Sequence, residues 1–198
     1  IFRVGLGDGF DRFLGGGGDD RIEATADGVA IGISGNFAAG NGIETIGANG
    51  FAGVTIRGNG GNNTLDFSHT RLDGITAIGG GAGNDNITGS AGNDIIIGGS
   101  GNDTLTGGDG ADIFSFDFGG GRGGSGRDVI RDFKLGDGDV LRFTSVLDHN
   151  LNGPDLEDLS QAISRVADNG RHVTVTFVDG GSLTLQGLGT GTITSGDA

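Results

Sequence analysis

The sequence predicts an all-β chain wound as a right-handed parallel β-roll or β-solenoid, with a small cap of a strand pair, one helix and a β-hairpin. Three observations predict it. The run 80–115 splits into four nonapeptides, GGAGNDNIT, GSAGNDIII, GGSGNDTLT and GGDGADIFS, with Gly and Asp at fixed offsets. Their eighth position is always apolar: Ile87, Ile96, Leu105 and Phe114. Upstream, the β-rich pieces VAIGI (29–33), IETIGA (43–48), VTIRGN (54–59), NTLDF (63–67) and ITAIGG (75–80) recur at the spacing of solenoid rungs.

The repeat explains itself physically. Glycines at fixed offsets supply the positive φ of a tight turn and let neighbouring turns approach without a Cβ between them. The last three residues make a very short strand whose middle side chain faces inward. Turn, strand, turn, strand closes a flattened coil of about eighteen residues, and stacked coils give two parallel ladders around an apolar line. The sixth-position carboxylates Asp85, Asp94, Asp103 and Asp112 then fall in rows on the turns. Alternate repeats share a side, which sets Asp85 beside Asp103 and Asp94 beside Asp112. Carboxylates this close repel one another unless a hard cation lies between them. Calcium suits the gap, taking six to eight oxygens from carboxylates and carbonyls with tolerant geometry.

These nonapeptides resemble the hemolysin-type calcium-binding repeat of RTX (repeats-in-toxin) proteins, G-G-x-G-x-D-x-U-x with U apolar. A flexible linker rich in Gly, Asn and Asp would share the composition but not the strict phase of position eight. The resemblance implies Ca2+ as cofactor, bound by the four Asp carboxylates and by turn carbonyls around Gly81, Gly83, Gly92, Gly99, Gly101, Gly108 and Gly110. The same frame recurs at 6–23, where GGGGDDRIE carries Asp20 and LGDGFDRFL carries Asp11. Successive repeats face opposite sides, so Asp11 and Asp20 are expected to form separate half-sites that bind more weakly. IFRV at 1–4 echoes IFSF at 113–116, and no Met is present, so the chain is expected to be a piece of a larger parent whose neighbouring repeats are partners.

The remaining segments follow in order. GNGGNNTLD (58–66) is a degenerate repeat with Asn63 in the Asp position, and 24–79 reads as metal-poor solenoid continuous with the roll. The Gly-rich 119–126 reads as a mobile loop between a solenoid at 1–118 and a capping region at 127–198. RDVIRDFKLGDGDVLRF (127–143) gives two short strands around a Gly-Asp turn. It is similar to the D-x-I-x-D-F segment that follows RTX repeats, which adds Asp128 to the expected metal residues. Leu156, Leu159, Ile163 and Val166 recur at three and four residues, predicting an amphipathic helix ended by Asn169-Gly170. HVTVTF and SLTLQGL alternate around Asp179-Gly180-Gly181 and predict a hairpin. Together these elements resemble the C-terminal region of type I secretion substrates.

Composition narrows the function classes. With 26 acids against 12 Lys and Arg, the net charge of −14 favours cations over nucleic acid or an anionic membrane. No apolar run approaches the length of a membrane-spanning helix, and no cysteine is present. Histidines 69, 149 and 172 lack the spacing of a zinc helix, and neither a G-x-S-x-G elbow nor a phosphate loop occurs, so the sequence reads as no enzyme. The expectation is a secreted or cell-surface calcium-binding module that folds on extracellular calcium. One alternative is a calcium-dependent glycan-binding, adhesin or surface-layer module with extracellular polysaccharide as partner, although Trp and Tyr are absent. Another is a polysaccharide-active β-helix using Asp66, His69, Arg71 and Asp73.

Overall fold

The computed structural model describes residues 1–117, 126–144, 163–177 and 180–188. Its strands stack into parallel ladders, as the nine-residue phase requires, but there are three sheets rather than two. The first sheet holds Phe2–Val4, Arg21–Ala24, Thr45–Gly47 and Arg71–Asp73. The second runs from Phe10–Asp11 through Ala30–Ile33, Thr55–Gly58, Ala77–Ala82, Ile95–Ser100 and Ile113–Asp117 to Val140–Thr144. The third begins with Asn36–Phe37, Thr64–Asp66, Asn86–Thr88, Thr104–Thr106 and Arg127–Ile130.

The molecule therefore changes cross-section along its axis. Below Asp73 the coils from Arg21 onward visit all three sheets, and residues in register are 24 apart at Ile22 and Ile46, 25 at Ile31 and Ile56 and 28 at Phe37 and Leu65. Above it the chain passes from the third sheet straight back to the second, skipping the first; the period falls to 18 through the central repeats and lengthens to 25 and 27 in the last coils. Inward side chains stack in register throughout: Ile31, Ile56, Ile78, Ile96 and Phe114 on the second sheet, Leu65, Ile87, Leu105 and Ile130 on the third. None of these is more than 1% exposed, so the apolar line is continuous across the change of shape.

Close stacking of the narrow coils depends on glycine. Gly99 has φ 109°, and a Cβ there would overlap the Gly81 carbonyl of the coil below. Gly101, at φ 126°, stands in the same relation to the Gly83 carbonyl.

The C-terminal elements differ from expectation in two respects. The two strands of 127–143 form, but they do not pair with each other. Arg127–Ile130 extends the third sheet beside Thr104–Thr106, and Val140–Thr144 extends the second beside Ile113–Asp117. The helix expected through Ile163 and Val166 is replaced there by a strand, Ile163–Asp168, antiparallel to His172–Phe177. Asn169-Gly170 is the tight turn between them: Asn169 Oδ1 accepts the Arg171 and His172 N–H groups, and Gly170 has φ 81°. Sheet pairing overrode the helical spacing. Leu156, Leu159 and residues 119–125 of the expected Gly-rich loop lie outside the described residues. The predicted hairpin is present as His172–Phe177 against Ser182–Gln186, and the latter joins Arg127–Ile130 in parallel.

Candidate metal-binding turns

The turns of the narrow coils are joined by the Asp side chains. Asp85 Oδ1 accepts the Asn63 N–H at 2.7 Å, Asp103 Oδ1 accepts that of Asp85 at 2.8 Å, and Asp128 Oδ1 accepts that of Asp103 at 2.9 Å. Each carboxylate thus ties its own coil to the one beneath. The opposite edge repeats the device: Asp112 Oδ1 takes the Asp94 N–H at 2.9 Å and Asp139 Oδ1 takes that of Asp112 at 3.0 Å. A second rail runs the other way, from the N–H of Asn84 to Asn62 Oδ1, of Asn102 to Asn84 Oδ1 and of Arg127 to Asn102 Oδ1. The Asn that precedes each Asp in GND is thereby explained.

One oxygen is left over on three of the four repeat carboxylates. Oδ2 of Asp85, Asp103 and Asp112 is buried and has no hydrogen-bond partner. These side chains are at most 2% exposed. The spare oxygen of Asp85 lies over Gly80, the first residue of its own repeat, in the space a Cβ would fill; the Gly98 carbonyl of the next coil borders the same space. Gly98 and Gly107 stand in the same relation to Asp103 and Asp112. Burial drives both Asp103 and Asp112 upward, to about 6, and neighbouring acids add to the rise: Asp128 and Asp85 for Asp103, Asp94, Asp139 and Asp132 for Asp112. Burial likewise raises Asp85 and Asp94.

This donor set fits calcium. Buried, unshared carboxylate oxygens beside backbone carbonyls are hard ligands, and a charged oxygen taken out of water without a partner is costly. Among the described residues no group of three or more His, Cys, Asp or Glu side chains could hold a metal by itself. Turn carbonyls must therefore complete any shell.

The expected residues are unevenly gathered. Asp85, Asp103 and Asp128 share one edge and Asp94 and Asp112 the other, as the alternation of repeats requires. Asp94 differs from the rest, because its Oδ2 accepts both the N–H and the hydroxyl of Ser90. Asp11 lies exposed in the second sheet. Asp20 precedes a strand of the first, and its N–H is taken by Glu44 Oε2 at 2.7 Å, so Glu44 serves as the acid of the next coil. Two carboxylates absent from the expected set complete the upper turns: Asp139, and Asp132, which accepts the N–H groups of Gly107 and Gly108. Asp139 was visible in principle, since it stands two residues before Leu141 as Asp112 stands two before Phe114.

Where the first sheet ends, the step in cross-section leaves a groove of about 530 Å³ lined by Ser68, His69, Arg71, Leu72 and Ser90, among others. Its polar groups are engaged locally: Ser68 Oγ lies 2.6 Å from Asp66 Oδ1 and 2.9 Å from His69 Nδ1, and Arg71 pairs with Asp73 at 3.4 Å. His172 sits half-buried in a hairpin strand, and His149 lies outside the described residues. Among the described residues no helix is long and apolar enough to cross a membrane.

Comparison with known families agrees with this geometry. The RTX calcium-binding nonapeptide repeat (4 copies) matches residues 7–27, 54–67 and 79–114. The match takes in both the central array and the degenerate stretch around Asn63. A search of curated proteins found no match to the chain.

Proposed function

We propose that this chain, an RTX-type calcium-binding repeat protein, is a folding module whose narrow coils assemble only when calcium is supplied. The repeats bind calcium and form a structural, calcium-binding module. The observation that carries the rest is the set of buried, partnerless oxygens on Asp85, Asp103 and Asp112. In the proposed sites, Asp85 with Asp103, and Asp103 with Asp128, hold calcium on one edge; Asp112, with Asp132 and Asp139 beside it, holds it on the other. Calcium, when bound, supplies the positive charge that these oxygens lack.

The chain's own residues do the remainder. Without a cation the rows of acids repel one another, and the glycines carry a large conformational entropy into the unfolded state. The narrow coils then stay open, a state suited to passage through an export channel. A site with Kd of about 10⁻⁴ M in about 1 mM calcium contributes roughly 1.4 kcal/mol, and linked sites add. Secretion and an extracellular location follow as parts of the proposal: extracellular fluid offers calcium at that level, whereas the cytosol does not.

Circular dichroism of the chelated chain during calcium titration tests the reading. The expected result is a cooperative gain of β-signal in the millimolar range or below, not reproduced by magnesium. An unchanged spectrum, with no calcium uptake by calorimetry, sinks it. The groove beside His69 and Arg71 favours a second reading, a calcium-dependent glycan-binding module. A saturable hit on glycan arrays in millimolar calcium, weakened by Arg71→Ala with folding intact, would put that reading first.

A further inference from the structure

The turn 89–94 departs from its neighbours at one residue. Its second position is Ser90, where the other turns carry Gly81, Gly99 and Gly108. Those glycines take φ of 107°, 109° and 100°, a region that strains any side chain. Ser90 does not adopt it, and neither does Gly92, although the matching Gly83, Gly101 and Gly110 all do. The backbone of this turn therefore follows another path, and that path points donors at its own acid. The Ser90 N–H reaches Asp94 Oδ2 at 2.7 Å and the Ser90 hydroxyl reaches the same oxygen at 2.9 Å. Ser90 Oγ also accepts the Gly92 N–H at 3.1 Å, which braces the hydroxyl. The equivalent oxygens of Asp85, Asp103 and Asp112 receive nothing.

We infer that Ser90 takes the place of the cation at Asp94, so that the turn 89–94 is closed by its own chain and Asp94 holds no calcium. The inference rests on the calcium reading of the other turns. Two donors converging on one carboxylate oxygen satisfy it and present their positive ends to any cation approaching the same point. The location supplies a reason. This turn lies beside the step where the first sheet stops: it walls the groove with Ser68, His69 and Arg71, and the repeat turn stacked on it is 107–112, through the Asp94 and Ala111 N–H groups. A turn closed without metal gives the narrow coils a preformed base. The two edges are then unequal: one carries a continuous row from Asp85 to Asp128, and the other begins only at Asp112.

Counting bound calcium per chain by equilibrium dialysis tests this on the full chain. Ser90→Gly, which restores the motif, should bind one more ion than the wild type, and adding Asp94→Asn should remove that ion. Asp94→Asn alone should leave the wild-type count unchanged, while Asp85→Asn lowers it. A lower count in Asp94→Asn alone overturns the inference, whatever the fate of the glycine variant. A Ser90→Gly chain that folds and takes up no extra ion overturns it as well. Wild-type chain that binds no calcium removes the calcium reading, and this inference with it; loss of an ion from Asp94→Asn removes this inference alone.

Discussion

The wide coils below Asp73 and the narrow coils above it share a core but close their corners differently. In the wide part neutral groups do much of the closing: Thr25 Oγ1 donates to the Val4 carbonyl, Asn41 Nδ2 to that of Phe13 and Thr70 Oγ1 to that of Ile43. The acids used there, Glu44 on the Asp20 N–H and Asp27 on the Ala52 N–H, make exposed bonds. Three apolar lines meet inside, among them Ile22 and Ile46 from the first sheet, both fully buried. In the narrow part only two lines meet, and the corners are closed by acids whose second oxygens are stranded. Losing one sheet removes apolar burial and adds charge at the same point in the chain. On the proposed function, the wide coils stand on ordinary packing and the narrow ones need a cation.

The largest effect expected from a single change is in the wide part. Ile56→Ala removes a fully buried side chain and should cost about 4 kcal/mol, equally in calcium and in chelator. Denaturant unfolding under both conditions checks it, and a cost that appears only with calcium would merge the two regions into one metal-dependent unit. Next comes the pair Asp85→Asn with Asp103→Asn. It should cost about 3 kcal/mol in about 1 mM calcium, by loss of two linked sites. In chelator the same pair should stabilise the chain, because neutral amides relieve the crowding of acids. Absence of that reversal contradicts the account of the narrow turns.

Glycine substitutions sharpen the comparison within the narrow coils. Gly99→Ala sets a Cβ into the Gly81 carbonyl at φ 109° and should cost about 1–3 kcal/mol. Gly92→Ala meets only Ser90 Oγ, at 3.6 Å, and should cost less than about 1 kcal/mol. Equal losses in melting experiments would show that turn 89–94 is built like the rest.

The smallest effect is with pH. Burial raises Asp103 and Asp112 from 3.8 to about 6 in the metal-free fold. A carboxyl raised on folding stabilises the folded chain while it is protonated. That contribution is fully present below about pH 4 and lost as pH rises to about 6. Calcium needs the deprotonated forms, so its affinity should fall as pH drops below about 6. Isothermal titrations between pH 5 and pH 7, conditions chosen to bracket the value of about 6, measure the second trend; an affinity flat across that range counts against these two acids as ligands.

The parts of this structure legible in the sequence are those fixed by local repetition. Position eight predicted the stacked Ile87 and Leu105, or Ile96 and Phe114, because a strand of three residues has only one inward side chain. The extra sheet of the wide coils, the first, was not legible, since the corners that lead to Thr45–Gly47 and Arg71–Asp73 share no common phase. Asp139 escaped because the coil that carries it is lengthened by the short turn Leu135–Asp137, so it falls 27 residues after Asp112 rather than 18. The strand at Ile163–Asp168 was hidden by apolar spacing that suits a helix, although Asn169-Gly170 is also a hairpin signal. The role of Ser90 was not legible either; only its bonds to Asp94 show what it does.

Hydrogen exchange resolved by residue, in calcium and then in chelator, tests the central claim most directly. Amides of the narrow coils, Ile95–Ser100 and Thr104–Thr106 above all, should lose protection about a thousandfold on chelation, the equivalent of about 4 kcal/mol from three linked sites. Arg127–Ile130 and Val140–Thr144 should open with them, since they extend the same ladders. Amides of Arg21–Ala24, Thr45–Gly47 and Thr55–Gly58 should stay protected in both conditions. Narrow coils that keep their protection in chelator, or wide coils that open first, would contradict the account.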